Sequence, residues 1–246
     1  MRYEINLKER PSVIYITVES NTPKRLSFIG YNSDKNNTTY FSRSKEISGV
    51  QVVEIPMPLT PNVLTIDISQ EDGKFGSFIK VLKIYVTDMP SKTTPFPKNT
   101  LEFYNFMKVV AERTGYLKSG FYVSKDENFV IWVKDHLDGD STPARVNRRT
   151  GVTKWNLSKM KDYTVFMRVF IGLHEFFHYA LQTTNEIAAD TGALKVYLAM
   201  GFPKSEANYA MTKIFDSSPE AIERVKVMDN IIKQHDRQTK SQVSKR

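Results

Sequence analysis

Hydrophobic and polar residues alternate with a period of two over much of the N-terminal third of the chain. VIYITVE (13–19), RLSFIGY (25–31), TTYFS (38–42), VQVVEIPM (50–57), NVLTIDI (62–68) and SFIKVLKIYV (77–86) are rich in β-branched and aromatic residues. SNTPK, SDKNN and EDGKFG between them are turn formers. In the fifth segment Thr65 and Asp67 take one face and Leu64, Ile66 and Ile68 the other. Short strands at such intervals predict an antiparallel β-sandwich over residues 1–88.

Residues 89–98 hold three prolines within the segment DMPSKTTPFPK and read as a linker. The period then changes. Residues 100–114 place Leu101, Tyr104, Met107, Val110 and Ala111 on one side of a helix. Phe121–Val123 and Asn128–Val133 read as one strand pair. Ala144–Asn147 and Thr153–Asn156 read as another, turning at Gly151. Helices are expected at about 162–182, 186–200, 204–215 and 219–235, with Pro219 in the first helical position. The fold class is therefore α+β: an N-terminal sandwich module (1–88), a second domain with a small sheet and several helices (99–236), and a polar, basic tail (237–246).

Composition narrows the functions open to such a chain. With 40% hydrophobic and 25% charged residues, the 246-residue chain is an ordinary folding sequence. No apolar run approaches the roughly 20 residues of a membrane span. MRYEINLKERPS lacks the apolar core of a secretory signal peptide. The absence of cysteine removes disulfide frameworks and thiolate metal sites. The net charge of +8 is spread along the sequence, with concentrations at Arg145–Lys161 and in the tail. No basic motif interleaved with aromatic residues accompanies it, which argues against nucleic acid as a partner.

The chemistry is concentrated in FIGLHEFFHYALQTTNEIAAD (170–190). His174, Glu175 and His178 form an H-E-x-x-H motif. Residues four apart on a helix share a face, so both imidazoles can reach one Zn²⁺ at about 2.0–2.1 Å. Glu175 lies one position round the helix. It can reach a metal-activated water as general base without ligating the metal. The chain has only four histidines, and the strongly apolar context of this helix favours ligands over the alternative of two hydrogen-bonded core histidines beside a surface glutamate. A third ligand is needed. If the next helix returns antiparallel, either Glu186 or Asp190 can supply it. Thr183-x-x-Glu186 also fits a capping box, which gives Glu186 a purely structural alternative.

HEFFH followed by EIAAD resembles the zincin metallopeptidases of the gluzincin type. That resemblance implies His174, His178 and Glu186 as zinc ligands, Glu175 as the base and Asp190 as support for a ligand. Only seven residues separate His178 from Glu186, a shorter spacing than is usual for gluzincins, so the choice between Glu186 and Asp190 stays open. It further implies a peptide or protein substrate, held by main-chain pairing to the strand in ARVNRRTGVTKWN.

A Lys/Asn/Tyr-rich chain with a β-module before a zincin-like domain also resembles proteins of tailed phages. This gives the second expectation: a virion component, part of a homo-oligomeric ring, with the fold serving as scaffold. The corresponding locations are a virion or the cytoplasm. Four further features carry alternatives. Asp135–Asp140 is an acidic loop without EF-hand spacing. Tyr209 is the choice among Tyr163, Tyr179, Tyr197 and Tyr209 for an oxyanion donor, with helical packing as the alternative for each. Trp132 and Trp155 belong to the core or to a sheet face. Arg145, Arg148, Arg149 and Lys154 form an exposed basic hairpin that can favour an acidic partner.

Overall fold

The computed structural model describes residues 1–35, 38–71, 78–90, 95–137, 142–214 and 219–243. The chain divides into two units, 1–93 with 201–203, and 94–200 with 204–246.

The first unit is one antiparallel sheet. Its strands are β1 (Arg2–Asn6), β2 (Ser12–Tyr31), β3 (Thr39–Met57), β4 (Val63–Gln70) and β5 (Ile79–Asp88). β2 pairs with β3 along both its halves. Its first half pairs on the other side with β5, and its second half with β4, which in turn carries β1. Segments 13–19 and 25–31 are thus two halves of one strand, as are 38–42 and 50–57. SNTPK (20–24) is a register shift between Ser20 and Lys24 instead of a turn. A shift leaves ladder positions unpaired, and Pro23, which has no N–H, falls within it. Leu64, Ile66 and Ile68 are buried as their alternation predicts, as are Ile14, Ile16, Phe28 and Ile55, but Thr65 on the expected polar face is buried as well. Asp67 turns outward and pairs with Arg2 at 2.8 Å. The expected turn EDGKFG lies outside the described residues after Glu71, as do Asn36 and Asn37 of SDKNN.

In the second unit α1 (Lys98–Arg113) precedes a four-stranded sheet of β6 (Gly120–Val123), β7 (Val130–Lys134), β8 (Ala144–Val146) and β9 (Thr153–Asn156). The order is β6-β7-β9-β8, with β7 and β9 parallel and the outer pairs antiparallel. A short turn of helix α2 (Leu157–Met160), then α3 (Val165–Ala180), α4 (Glu186–Ala199), α5 (Lys204–Ile214) and α6 (Pro219–Val243) complete it. α6 begins at Pro219 as expected. It runs well beyond 235, so most of the expected frayed tail is helical, and residues 244–246 lie outside the described set. No described helix is long and apolar enough to cross a membrane.

α3 is buried on nearly every side, which its sequence requires: Val165 to Leu173 are all buried, with Phe176 and His178 beyond. It packs against α1, α4, α5 and β8. Two glycines set the close approaches. A Cβ on Gly172 would lie 2.1 Å from Met107 Sδ of α1, and one on Gly192 of α4 would lie 2.4 Å from Phe177. Thr164 caps α3 by accepting from Met167 N–H, and its hydroxyl donates to Glu206 at 2.6 Å.

The most costly polar burial is Arg168, which is fully buried. Its guanidinium donates to the carbonyls of Met160 (2.8 Å), Ala111 (2.9 Å) and Lys161 (3.1 Å). It thereby joins the ends of α1 and α2 to the helix that carries H-E-x-x-H. Burial lowers its pKa to about 10, against the opposing pull of Asp162.

Candidate metal centre

The motif helix delivers both imidazoles to one point. His174 and His178 approach edge to face, with ring centroids 4.6 Å apart and Nε2 atoms 3.0 Å apart. α4 returns across the end of α3 after the tight turn Thr183–Asn185. Asn185 caps it by accepting from Ala188 N–H, while Thr183 accepts from Asn185 N–H. The capping-box alternative for Glu186 is thereby overturned. The cap is Asn185, and Glu186 in the first turn is turned to the imidazoles instead. Its Oε2 lies 3.3 Å from His174 Nε2 and its Oε1 lies 3.3 Å from His178 Nε2.

These three side chains can hold a metal ion, since their donor atoms all lie within 4.8 Å of one another. The separations of 3.0, 3.3 and 3.3 Å, the last two to different oxygens of Glu186, are close to those between ligands of one metal ion. Ligand bonds of about 2.0–2.1 Å require ligand–ligand distances of about 3.3–3.4 Å. The far side of each ring is fixed as a metal site requires. His174 Nδ1 donates to Asp190 Oδ1 at 2.8 Å, and His178 Nδ1 donates to the Thr183 carbonyl at 3.0 Å. Both Nε2 lone pairs can then face the centre. Of the two acids the sequence leaves open, Glu186 sits at the centre and Asp190 behind His174.

The sequence reading missed Arg224 of α6. Its Nε donates to Asp190 Oδ2 at 2.7 Å, and its Nη2 lies 3.1 Å from both Asp190 Oδ1 and Glu186 Oε2. It lies 34 residues from Asp190 with no local motif, so only the docking of α6 on α4 reveals the pairing. Burial would raise Glu186, but the two imidazoles and Arg224 hold it well below the carboxylate range. Asp190 is lowered in the same way against its burial, by His174 and Arg224. Burial pulls His174 down, yet its bonds to Asp190 and Glu186 outweigh this and hold it at about 10. His178 is raised chiefly by Glu186.

The metal-free centre therefore holds protons at neutral pH that a metal must displace. Binding is expected to release protons at pH 7, and apparent affinity is expected to climb from pH 6 to pH 8. Calorimetric titration in buffers of different ionisation enthalpy measures this directly. An affinity independent of pH would contradict the ligand assignment.

Glu175 lines the same cavity as the three ligands, and its carboxylate accepts from Val146 N–H of β8 at 2.8 Å. Burial raises its pKa, while the two imidazoles and the Val146 N–H oppose the rise. The cavity here is ≈ 490 Å³. Pro143–Val146, Arg148 and the apolar Phe170, Ile171 and Met211 are among the residues that line it. Tyr209 does not line it. It is half exposed and packs beneath Lys213, so the oxyanion role expected of it has no geometric basis. Tyr179 packs beside Gly151, whose positive φ of 73° makes the expected β8–β9 turn. Of the acidic loop, Asp138, Gly139 and Asp140 lie outside the described residues.

Comparison with protein-family models, with curated proteins and with solved structures finds no match.

Proposed function

We propose that the chain is a zinc-dependent peptidase. The observation that carries this reading is the convergence of His174, His178 and Glu186 within reach of one metal ion, with Glu175 in the same cavity. An all N/O donor set of two imidazoles and one carboxylate suits Zn²⁺ with a position left open for catalysis. Bound there, zinc would supply Lewis acidity toward water and a substrate carbonyl.

The chain's own residues divide the rest of the work. Glu175 is the base. A carboxylate whose pKa is raised by burial takes a proton from water more readily than an exposed one, and can pass it to a leaving amine. The Val146 N–H holds one of its oxygens and sets its direction. Asp190, Thr183 and Arg224 hold the ligands in place.

β8 suits an extended substrate. Asn147 N–H bonds to Val152 O, and Asn156 N–H bonds to Pro143 O. Alternate residues of β8 therefore turn toward β9, while the main-chain groups of Ala144 and the carbonyl of Val146 face away from it, the Val146 N–H being taken by Glu175. A peptide can add there as a further strand. Its side chains would meet the apolar Phe170, Ile171 and Met211.

Glu175→Gln tests the reading. The variant is expected to bind zinc as the parent does and to lose about 10²–10⁴-fold in peptide hydrolysis. Mass-spectrometric profiling of a mixed peptide library, with zinc content measured on the same samples, reads both quantities. A zinc-loaded parent that cleaves nothing in the library, or a variant that cleaves at the parental rate, would overturn it.

A further inference from the structure

The sheet of the second unit has two unlike faces. Ile131, Val133, Thr153, Trp155 and Ala144 are buried on one. On the other, strand register builds a row that crosses all four strands. Phe121 of β6 pairs with Trp132 of β7, Trp132 with Lys154 of β9, and Lys154 with Arg145 of β8. Paired residues project from the same face, so two aromatic rings and two cations stand side by side. Lys134, two residues along β7 from Trp132, joins them.

The contacts make this a formed surface. The rings of Phe121 and Trp132 stack at 5.1 Å with an interplanar angle of 18°. Lys134 Nζ and Lys154 Nζ lie 4.6 and 5.5 Å from the Trp132 ring centre. Phe121 is 64% exposed, which is costly for a large apolar ring with no function.

We propose that this sheet face binds single-stranded nucleic acid. The exposed Phe121 ring, backed by Trp132, gives an unpaired base a surface to stack on, and adjacent Lys and Arg side chains can neutralise the phosphates that link bases. A duplex presents no unstacked base to such rings. The net charge of +8 adds a general attraction. The sequence argued against this partner because the elements of the row lie on four separate strands. No stretch of chain shows aromatic and basic residues interleaved, and the register alone assembles them. The row shares Arg145 with the cavity of the proposed peptidase centre, but none of its residues is a metal ligand or the base.

The experiment is fluorescence-anisotropy titration of the full chain with a fluorescein-labelled oligo-dT 20-mer, alongside tryptophan emission. Trp155 is fully buried, so quenching on binding reports Trp132. Saturable binding is expected, with the logarithm of affinity falling against that of salt at a slope of about −2, as three phosphate contacts require. Phe121→Ala, at an exposed position, is expected to weaken binding by roughly 5- to 150-fold, the loss of one stacked base. Lys154→Glu is expected to reduce the salt slope by about 0.7. Both variants should keep the parental metal content and circular dichroism. Absence of binding at low salt would overturn the proposal. So would binding unchanged by Phe121→Ala and Trp132→Ala, which is attraction by charge alone, or capture of phosphatidylserine vesicles in place of the oligonucleotide.

Discussion

A chain carrying His178→Ala is expected to bind zinc at least ~100-fold more weakly than the parent. Removal of groups that merely orient a ligand costs about 10–100-fold in metal affinity, and removal of a ligand must exceed that. His178 Nε2 closes two of the three donor–donor edges, to His174 at 3.0 Å and to Glu186 at 3.3 Å. Without it, one imidazole and one carboxylate remain, and Glu186 is already shared with Arg224. Asp190→Asn provides the internal scale. It keeps an acceptor for His174 Nδ1 but removes the charge, so it falls in the 10–100-fold range. Competition with a chelating dye gives both affinities. Parental affinity in His178→Ala would place the bound ion elsewhere.

The second large effect concerns stability. Arg168→Met keeps much of the side-chain volume and removes the guanidinium, leaving the carbonyls of Met160, Ala111 and Lys161 without their charged donor. Buried carbonyls deprived of a partner each cost on the order of 1–3 kcal/mol; Met160 O keeps the Tyr163 N–H at 3.3 Å, and some of the cost returns because the arginine no longer has to be dehydrated. A net loss of about 3–5 kcal/mol follows, which for a chain of this size is a fall in Tm of roughly 6–20 °C. Thermal unfolding of the metal-free chain measures it. A change below about 1 kcal/mol would mean that desolvation of Arg168 cancels its three bonds.

How much of this was legible in the sequence depended on the range of each interaction. His174 and His178 could be read as a pair because helical periodicity alone puts them on one face. The β8–β9 hairpin could be read because Gly151 marks a turn within a few residues of its strands. The choice between Glu186 and Asp190 could not be made, since it depends on how far α4 slides along α3, and a Cβ on Gly192 would push Phe177 away. Arg168 and Arg224 look like ordinary surface cations in the sequence, and only the partners brought by distant elements give them their roles. In the first unit the turn chemistry of SNTPK was real but misleading. It marks an irregularity inside β2, because the pairing with β3 resumes at Lys24. β1 went unread although Arg2, Glu4 and Asn6 alternate with Tyr3 and Ile5, because five residues with two apolar positions carry little signal until Arg2 finds Asp67 across the ladder.

The bond from Arg224 to Asp190 and Glu186 also has a consequence in time. Both imidazoles and both acids have been synthesised once α4 is complete, whereas their guanidinium arrives only with α6. The bonds that hold Asp190 and Glu186 are therefore complete only when α6 has been made and has docked on α4.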